Sequence, residues 1–213
     1  MHPLTRHKQL AAAAILSSVL FIALAFLRTN ALFIKIDHVA SHTILLLRND
    51  GLTRMIVIFT EIFSIPFMAI FIAGSAIMLL WSDKKLALRL VITAAVGATL
   101  FSFIKLVIHA SRPLDGLIDA PGFSFPSGHA TMATILFVFI ARLFERASKS
   151  LFFHLLFNLF AMCMIVAVSL SRIYLGVHWL SDVLAGMLLG VFSTSIVTME
   201  FDRFGSRLPG HKN

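Results

Sequence analysis

The stretch SRIYLGVHWLSD, residues 171–182, joins two long apolar runs and carries the sharpest polar pattern in the chain. His178 and Asp182 are four residues apart and therefore share one face of a helix. An aspartate placed in this way can accept the N–H of one imidazole nitrogen, which leaves the other nitrogen free to attack. Arg172 offers a planar fork that matches phosphate oxygens. The alternative is a structural His–Asp pair that caps a helix at the membrane interface.

Apolar runs dominate the rest of the sequence. Hydrophobic residues make up 59% of the 213 residues and charged residues 13%, whereas soluble domains contain roughly 25% charged residues. Several runs approach the ~20 residues that a helix needs to cross a bilayer. We therefore predict an all-α, polytopic membrane protein that forms a single domain over residues 1–213. The six predicted membrane-spanning helices cover residues 9–27, 55–81, 86–109, 128–144, 151–170 and 179–199.

The long connection over residues 29–54 has a pattern of its own. Its apolar residues recur at helical spacing, with polar residues such as Lys35, Asp37 and His38 between them. This pattern predicts an interfacial amphipathic helix over about residues 32–47 that lies on the membrane surface. The alternative is a loop in which the spacing arises by chance.

The basic residues indicate how the chain crosses the membrane. The formal net charge is +8, and a cytoplasmic N-terminus places eleven of the eighteen basic residues on the cytoplasmic side. These eleven are Arg6, Lys8, Lys84, Lys85, Arg89, Arg142, Arg146, Lys149, Arg203, Arg207 and Lys212. Since cytoplasmic segments carry the excess of lysine and arginine, we predict cytoplasmic termini and polar motifs on the outer face of the cell membrane. The scattered placement also argues against a nucleic-acid-binding surface.

Two further polar motifs precede the stretch at residues 171–182. Lys105 is followed seven residues later by Arg112, and a lysine inside an apolar run normally faces a polar cavity or a partner. Snorkelling of Lys105 to the lipid headgroups is the alternative. The sequence PSGH, residues 126–129, opens a predicted helix whose first N–H groups lack intrahelical acceptors and can bind an anion. His129 then lies in the first turn of that helix.

In chain order, the motifs Lys-x6-Arg-Pro, Pro-Ser-Gly-His and Ser-Arg-x5-His-x3-Asp resemble the signature of the type-2 phosphatidic acid phosphatase superfamily. The resemblance covers residues 105–182, and the six-span layout extends it to nearly the whole chain. It implies the helical core that this superfamily shares with the vanadium haloperoxidases. The signature positions are filled by Lys105, Arg112, Pro113, Pro126, Ser127, Gly128, His129, Ser171, Arg172, His178 and Asp182.

The resemblance also implies a role for the polar residues. His178 would be the nucleophile that forms a phosphohistidine, Asp182 would orient it, and His129 would serve as general acid and then general base. The phosphate would be held by Lys105, Arg112, Ser127, the Gly128 N–H and Arg172. Because three cations and backbone donors can neutralise the transition-state charge, neither a metal nor a cofactor is expected.

Weaker candidates lie outside these roles. Glu61 falls inside the second apolar run, where it could line the substrate mouth or pair with a cation such as Lys105. His109 follows Lys105 by four residues and is predicted at the rim of the pocket. Tyr174 is interpreted as an interfacial anchor.

The expected activity is hydrolysis of a lipid phosphate at the outer face of the membrane. The short chain is most similar to the small bacterial members of the superfamily, which implies undecaprenyl pyrophosphate or phosphatidylglycerol phosphate as the substrate. A lipid A phosphatase or a lipid phosphotransferase is an alternative with the same site. A non-catalytic lipid-phosphate binder or transporter is an alternative of another class, which the intact His178, His129 and Asp182 disfavour. Apart from the lipid substrate and the bilayer, no partner is predicted.

Overall fold

The computed structural model describes residues 3–207, and within that range the regular elements are all α-helices. They are α1 (Pro3–Leu27), α2 (Ala31–Leu45), α3 (Asp50–Ile62), α4 (Ile65–Leu80), α5 (Lys84–Ile108), α6 (Gly128–Ala147), α7 (Leu151–Tyr174) and α8 (Leu180–Arg207). The predicted all-α class is therefore confirmed for the described residues. Of the basic residues used to predict the topology, Lys212 and the side chain of Arg207 lie outside the part of the chain that the structure describes.

Short polar side chains determine where several helices begin. Asn30, Asn49 and Asp83 each accept a hydrogen bond from a backbone N–H in the first turn of α2, α3 and α5. Ser127 does the same for α6. The cap at Ser127 is what places His129 in the first turn of its helix.

Four helices are long and apolar enough to cross a membrane, namely α1, α5, α7 and α8, and the α3–α4 pair is a fifth candidate. The pair is bent by 42° between α3 and α4, so the prediction of one helix over residues 55–81 is wrong in this detail. Pro66 lies in the first turn of α4 and has no backbone N–H to donate, so the helix is interrupted before it. The chain is thus a multi-pass membrane protein, and the predicted sixth crossing, over α6, stays a prediction.

Helices α6 and α8 lie side by side and run in the same direction. A Cβ added at Gly186 would lie 2.5 Å from the Ser127 carbonyl oxygen, and one added at Gly190 would lie 2.5 Å from the Thr134 Cβ. Any larger residue at these two positions would push the helices apart, so glycine is required for this close approach. The starts of α6 and α8 therefore meet at one end of the bundle.

Helix α2 occupies the predicted interfacial segment, over Ala31–Leu45 instead of residues 32–47. The segment forms a helix, its position at the membrane interface stays a prediction, and its polar residues do not all face outward. Asp37 is only 7% exposed, whereas the apolar Leu32 and Val39 are 62% and 56% exposed. Asp37 therefore faces the protein, whereas part of the apolar side of α2 faces outward.

The partner of Asp37 explains its burial. Asp37 Oδ1 accepts the backbone N–H of Ser181 at 2.8 Å, and Oδ2 accepts the Ser181 hydroxyl at 2.6 Å. The first turn of α8 has no intrahelical acceptor for its N–H groups, so a carboxylate from α2 supplies one. Helix α2 thus docks on the start of α8 and leaves much of its apolar side available to lipid.

Candidate active site

Two loops at one end of the bundle carry much of the signature: residues 109–127, between α5 and α6, and residues 175–179, between α7 and α8. The Ser127 N–H donates to the Asp182 carbonyl oxygen at 2.9 Å, which ties the first loop to the start of α8. Gly176 has a φ of 68°, and a Cβ there would lie 2.5 Å from a carbonyl oxygen of the first loop. Glycine at this position therefore lets the two loops touch.

His178 and Asp182 form a buried pair between these loops. Their side chains are 3% and 1% exposed, and His178 Nδ1 lies 3.3 Å from Asp182 Oδ2. The same carboxylate oxygen accepts the backbone N–H of Trp179 at 2.9 Å. Two donors thus fix the carboxylate, and the carboxylate in turn fixes the orientation of the imidazole.

The surroundings of His178 favour its neutral form. Burial, followed by the positive charges of Lys105, Arg112 and Arg172, lowers the pKa of His178 well below its usual 6.5. The ring is therefore neutral at pH 7. With Nδ1–H donated to Asp182, the lone pair is on Nε2.

Arg112 lies beside that free nitrogen. Its Nη1 is 3.4 Å from His178 Nε2 and donates to the Val177 carbonyl oxygen at 2.6 Å. Its Nε and Nη2 donate to the carbonyl oxygens of residues 121–123 at 3.0 to 3.2 Å. The turn that presents these carbonyls includes Gly122, whose φ is 75°. Arg112 is thus held by neutral groups and keeps its full positive charge for a ligand.

Lys105 is held in the same way. It lies in the last turn of α5, and its Nζ donates to the carbonyl oxygens of Phe123 and Ser124, the latter at 3.0 Å. The helix ends before Arg112, so the two cations do not share a helical face. They meet because the loop folds back and offers its carbonyls to both.

Arg172 reaches the site from α7. The residue is 5% exposed, and Nη1 donates to the hydroxyl of Thr60 on α3 at 2.7 Å. Its buried Nε finds no hydrogen-bond partner within the described part of the chain. Glu61 acts electrostatically on Arg172, and among the described residues it forms no ion pair within 4.0 Å with either Arg172 or Lys105. The structure thus places Glu61 near Arg172, without the direct pairing that the sequence left open.

The start of α6 faces the same space. Ser127 is fully buried, and its Oγ accepts the Ala130 N–H at 3.4 Å. The N–H groups of Gly128 and His129 belong to the first turn, which has no intrahelical acceptors for them. The partly buried His129 ring lies within electrostatic range of His178 and of the three cations.

His109 was predicted at the rim of the pocket, on roughly the helical face of Lys105. It ends α5 in the left-handed conformation, with a φ of 51°, so it does not continue the helical face of Lys105. The residue is exposed, and its ring packs edge-on against Phe123 with the centroids 4.3 Å apart. His109 therefore lies on the outside of the loop that holds the cations.

Other supporting residues were missed in the sequence. Arg48 donates through Nε and Nη2 to the Tyr174 carbonyl oxygen at 2.9 and 2.8 Å, which holds the end of α7. Tyr174 is 3% exposed, and its hydroxyl lies 2.9 Å from that of Thr53, so its interpretation as an interfacial anchor is wrong. The position of Asp37 between apolar residues could have indicated in the sequence that its side chain is buried against a partner. The role of Arg48 could not have been found in this way, because its acceptor is a backbone carbonyl, which any residue provides.

Residues 86–204 match the family model described as the PAP2 superfamily. The chain belongs to the PAP2 superfamily. Phosphatidylglycerophosphatase B of Bacillus subtilis (strain 168) is 30% identical over 173 residues, which cover 78% of this chain and 83% of that protein. The undecaprenyl-diphosphatase of Sulfolobus acidocaldarius is 30% identical over 129 residues, which cover 57% of this chain and 58% of that protein.

Two solved structures share the PAP2 fold of this chain. The crystal structure of a transmembrane PAP2-type phosphatidylglycerolphosphate phosphatase from Bacillus subtilis superposes with a TM-score of 0.78 at 24% identity. That match covers 93% of this chain and 98% of the other. LpxE of Aquifex aeolicus superposes with a TM-score of 0.61 at 22% identity, covering 76% of this chain and 94% of the other.

The comparisons confirm the family that the sequence motifs resembled. The relatives carry the names of phosphatases, so the expectation of an enzyme of the phosphatase class is confirmed. The matched region also contains the two loops and the signature residues over 105–182.

Proposed function

We propose that this PAP2 protein is a metal-independent lipid phosphatase that works through a phosphohistidine on His178. The observation that carries the proposal is the orientation of one imidazole. Its Nδ1 faces Asp182 at 3.3 Å, and its Nε2 lies 3.4 Å from Arg112 Nη1. A phosphoryl group bound to Arg112 thus lies within reach of the free lone pair.

The reaction has two displacement steps. First, the lone pair of His178 Nε2 attacks phosphorus, the bond from phosphorus to the leaving oxygen breaks, and His129, protonated in the complex with the anionic substrate, gives that oxygen a proton and becomes neutral. Asp182 stabilises the positive charge that develops on the His178 ring. Next, water gives a proton to His129 and attacks phosphorus. The N–P bond breaks, so inorganic phosphate leaves and His178 returns to its neutral form.

The cations have a separate task in both steps. Lys105, Arg112 and Arg172 would bind the equatorial phosphate oxygens, aided by Ser127 and the Gly128 N–H at the start of α6. Fixed donors of this kind stabilise charge as it develops, because they need little reorganisation. The unpartnered Nε of Arg172 supports this role, since a phosphate oxygen would satisfy it. Because these three cations and the backbone donors can neutralise the phosphate charge, we assign no metal to the mechanism.

The proposed substrate is a lipid phosphomonoester or pyrophosphate, with phosphatidylglycerol phosphate and undecaprenyl pyrophosphate as the preferred candidates. The names and coverage of the Bacillus and Sulfolobus relatives support these two lipids. Hydrolysis of lipid A phosphate, or transfer of the phosphoryl group to another lipid, would use the same residues. The similarity to LpxE is a similarity of fold at 22% identity, so we rank these two reactions below hydrolysis of phosphatidylglycerol phosphate or undecaprenyl pyrophosphate.

The proposed orientation places both termini in the cytoplasm and the active site at the outer face of the cell membrane. It requires a sixth crossing by α6, whose 20 residues extend about 30 Å, enough for a bilayer core. Helix α6 packs between α5, α7 and α8. The basic Arg142 and Arg146 lie near its far end, on the side that this topology makes cytoplasmic.

A panel of lipid phosphates tests the proposal. Purified protein in detergent would be offered phosphatidylglycerol phosphate, undecaprenyl pyrophosphate, phosphatidic acid and lipid A phosphate in the presence of a chelator, with phosphate release as the readout. We expect release from at least one of the first two lipids and a fall of about 10⁴-fold in His178→Ala. Activity that survives His178→Ala would exclude the covalent mechanism, and no release from any lipid would favour a binding protein.

A further inference from the structure

A cavity of about 660 Å³ lies at the other end of the bundle. It is enclosed by the starts of α1, α5 and α7, the end of α6 and the later turns of α8. Along α6, Arg142 in the cavity is thirteen residues from His129 in the active site, or about 20 Å. The proposed phosphatase reaction uses no residue of this cavity.

The lining of the cavity is strongly basic. Four arginines, Arg6, Arg89, Arg142 and Arg146, face a single carboxylate among the lining residues, that of Glu145. Glu145 is already bound, because its Oε2 accepts a hydrogen bond from Arg142 at 2.8 Å. The lining residues therefore carry more positive than negative charge, and Asp202 and Asp83 outside the lining offset part of it.

Arg89 differs from the other arginines in its pairing. Arg6 pairs with Asp202 at 3.4 Å and Arg146 with Asp83 at 3.3 Å. No carboxylate oxygen of a described residue lies within 4.0 Å of the Arg89 guanidinium. Arg146 and Arg6 act on Arg89 as like charges, and their partners Asp83 and Asp202 act on it as opposite charges from beyond 4.0 Å. A partly buried cation beside like charges is unfavourable unless an anion compensates it.

Hydroxyl groups add unused hydrogen-bonding capacity. Thr194 and Ser195 of α8 both line the cavity. The Thr194 Oγ1 is buried and has no hydrogen-bond partner within the described residues, and Ser195 is 5% exposed. Buried polar groups are normally hydrogen-bonded, so the Thr194 hydroxyl indicates an acceptor or donor that binds from the cavity.

We propose that this cavity binds a phosphate-bearing anion, either free phosphate or the headgroup of an acidic phospholipid, with Arg89 as its central ligand. Four arginines line this one cavity together with three hydroxyl-bearing residues, Thr194, Ser195 and Thr198, and Arg89 is the one of the four that is partly buried. Arginine forks match phosphate oxygens, and basic pockets between membrane helices on the cytoplasmic side bind acidic lipid headgroups. Leu10 and Val138 give the cavity an apolar wall that an acyl chain could follow.

The test compares two variants of α5 in the purified full-length protein. Arg89→Gln removes the proposed ligand, and Lys85→Gln removes an exposed cation of the same helix that does not line the cavity. The midpoint of thermal unfolding would be measured without ligand, with inorganic phosphate, and with phosphatidylglycerol in mixed micelles. Phosphate bound at the active site stabilises both variants alike, so it cancels in the difference between them.

Without ligand, Arg89→Gln should unfold at the same temperature as Lys85→Gln or higher, because repulsion from Arg146 and Arg6 is relieved. At saturating ligand, the midpoint of Lys85→Gln should rise by roughly 3 °C or more beyond any rise in Arg89→Gln. A difference between the two variants with phosphate but not with the lipid identifies the free ion, and a difference with the lipid but not with phosphate identifies the headgroup. Equal gains in both variants with both ligands would overturn the proposal.

A second variant, Thr194→Val, tests the site independently in case Arg89→Gln does not fold. Thr194→Val replaces the unpartnered hydroxyl by a methyl group of similar size, so the fold should be retained. We expect it to weaken anion binding several-fold. Unchanged binding in Thr194→Val, together with a poorly folded Arg89→Gln, would also count against the site.

Discussion

The two ends of the helical bundle hold their cations with different partners. At the active-site end, Arg112 donates to backbone carbonyl oxygens, and Arg172 donates to a hydroxyl. At the opposite end, Arg203 pairs with Glu200 at 2.7 Å and Arg142 with Glu145 at 2.8 Å. A carbonyl or hydroxyl orients a cation without cancelling its charge, whereas a carboxylate cancels it. The comparison shows that the three active-site cations keep their charge available for an anion, whereas at the opposite end Arg89 is the one cavity arginine without a carboxylate within 4.0 Å among the described residues.

The carboxylate of the active site fits this comparison. Asp182 is bound to His178 Nδ1 and to the Trp179 N–H, and none of the three site cations pairs with it within 4.0 Å among the described residues. Its charge is thus directed at the imidazole, which is the group that becomes positive in the proposed reaction. The three site cations are therefore not neutralised by Asp182 and can bind the phosphate of the substrate.

Replacing one cation at each end gives the largest expected difference. Arg112→Gln should lower kcat/KM by about 10² to 10³-fold, since a fixed donor to the transition state is lost. Arg203→Gln removes a surface pair and should change kcat/KM by less than about twofold. Steady-state hydrolysis of the lipid from the substrate panel measures both. If kcat/KM fell by a similar factor in both variants, the contrast between arginines held by carbonyl oxygens and arginines paired with carboxylates would have no bearing on catalysis.

Asp37 tests whether α2 belongs to the active-site end. Asp37→Ala leaves the N–H and hydroxyl of Ser181 without their acceptor, so the free energy of unfolding should fall by about 1 to 3 kcal/mol. Asp37→Asn keeps one oxygen acceptor and should cost less. Lys35→Ala, on the exposed side of the same helix, is the control. Denaturant unfolding in detergent gives the three values, and an equal effect of Lys35→Ala would mean that the docking contact is dispensable.

The smallest expected effect concerns the titration of His178. Burial is the main cause of its lowered pKa, and the cations come second, so Arg112→Gln should raise that pKa while leaving it below 6.5. Arg203→Gln should leave it unchanged. The histidine resonance that disappears in His178→Ala, followed by nitrogen NMR against pH, reports the value. A pKa at or above 6.5 in the parent protein is the result that the account does not allow.

The same shift has a consequence for stability. Below about pH 6.5 the unfolded chain takes up a proton at this histidine, whereas the folded chain does not. The contribution of His178 therefore destabilises the protein as the pH falls from 6.5 toward the pKa of the folded state. Above pH 6.5 the ring is neutral in both states and contributes no pH dependence.

The sequence predicted those features that depend on spacing. His178 and Asp182, four residues apart, form the expected pair, and the apolar runs became helices. The motif PSGH, predicted to open a helix, lies at the start of α6. These features follow from helical periodicity and local capping, which a single sequence contains.

Features that depend on tertiary partners were not predictable. The carbonyls that hold Lys105 and Arg112 belong to a loop whose fold has no periodic pattern. The docking of Asp37 joins residues 144 positions apart along the chain. The bend before Pro66 was readable in principle, because proline interrupts helical hydrogen bonding, but the apolar run across it hid the break.

The most direct test of the account is to trap the covalent intermediate. A lipid pyrophosphate labelled at its terminal phosphorus would be mixed with His129→Ala, which can form the phosphohistidine because the departing lipid phosphate needs little acid assistance. This variant cannot activate water, so the intermediate should accumulate. The reaction would be quenched in alkali, where phosphohistidine is stable. We predict label on the peptide that contains His178, released by mild acid and absent from His129→Ala/His178→Ala. Label that persists in the double variant, or no label in His129→Ala, would contradict the account.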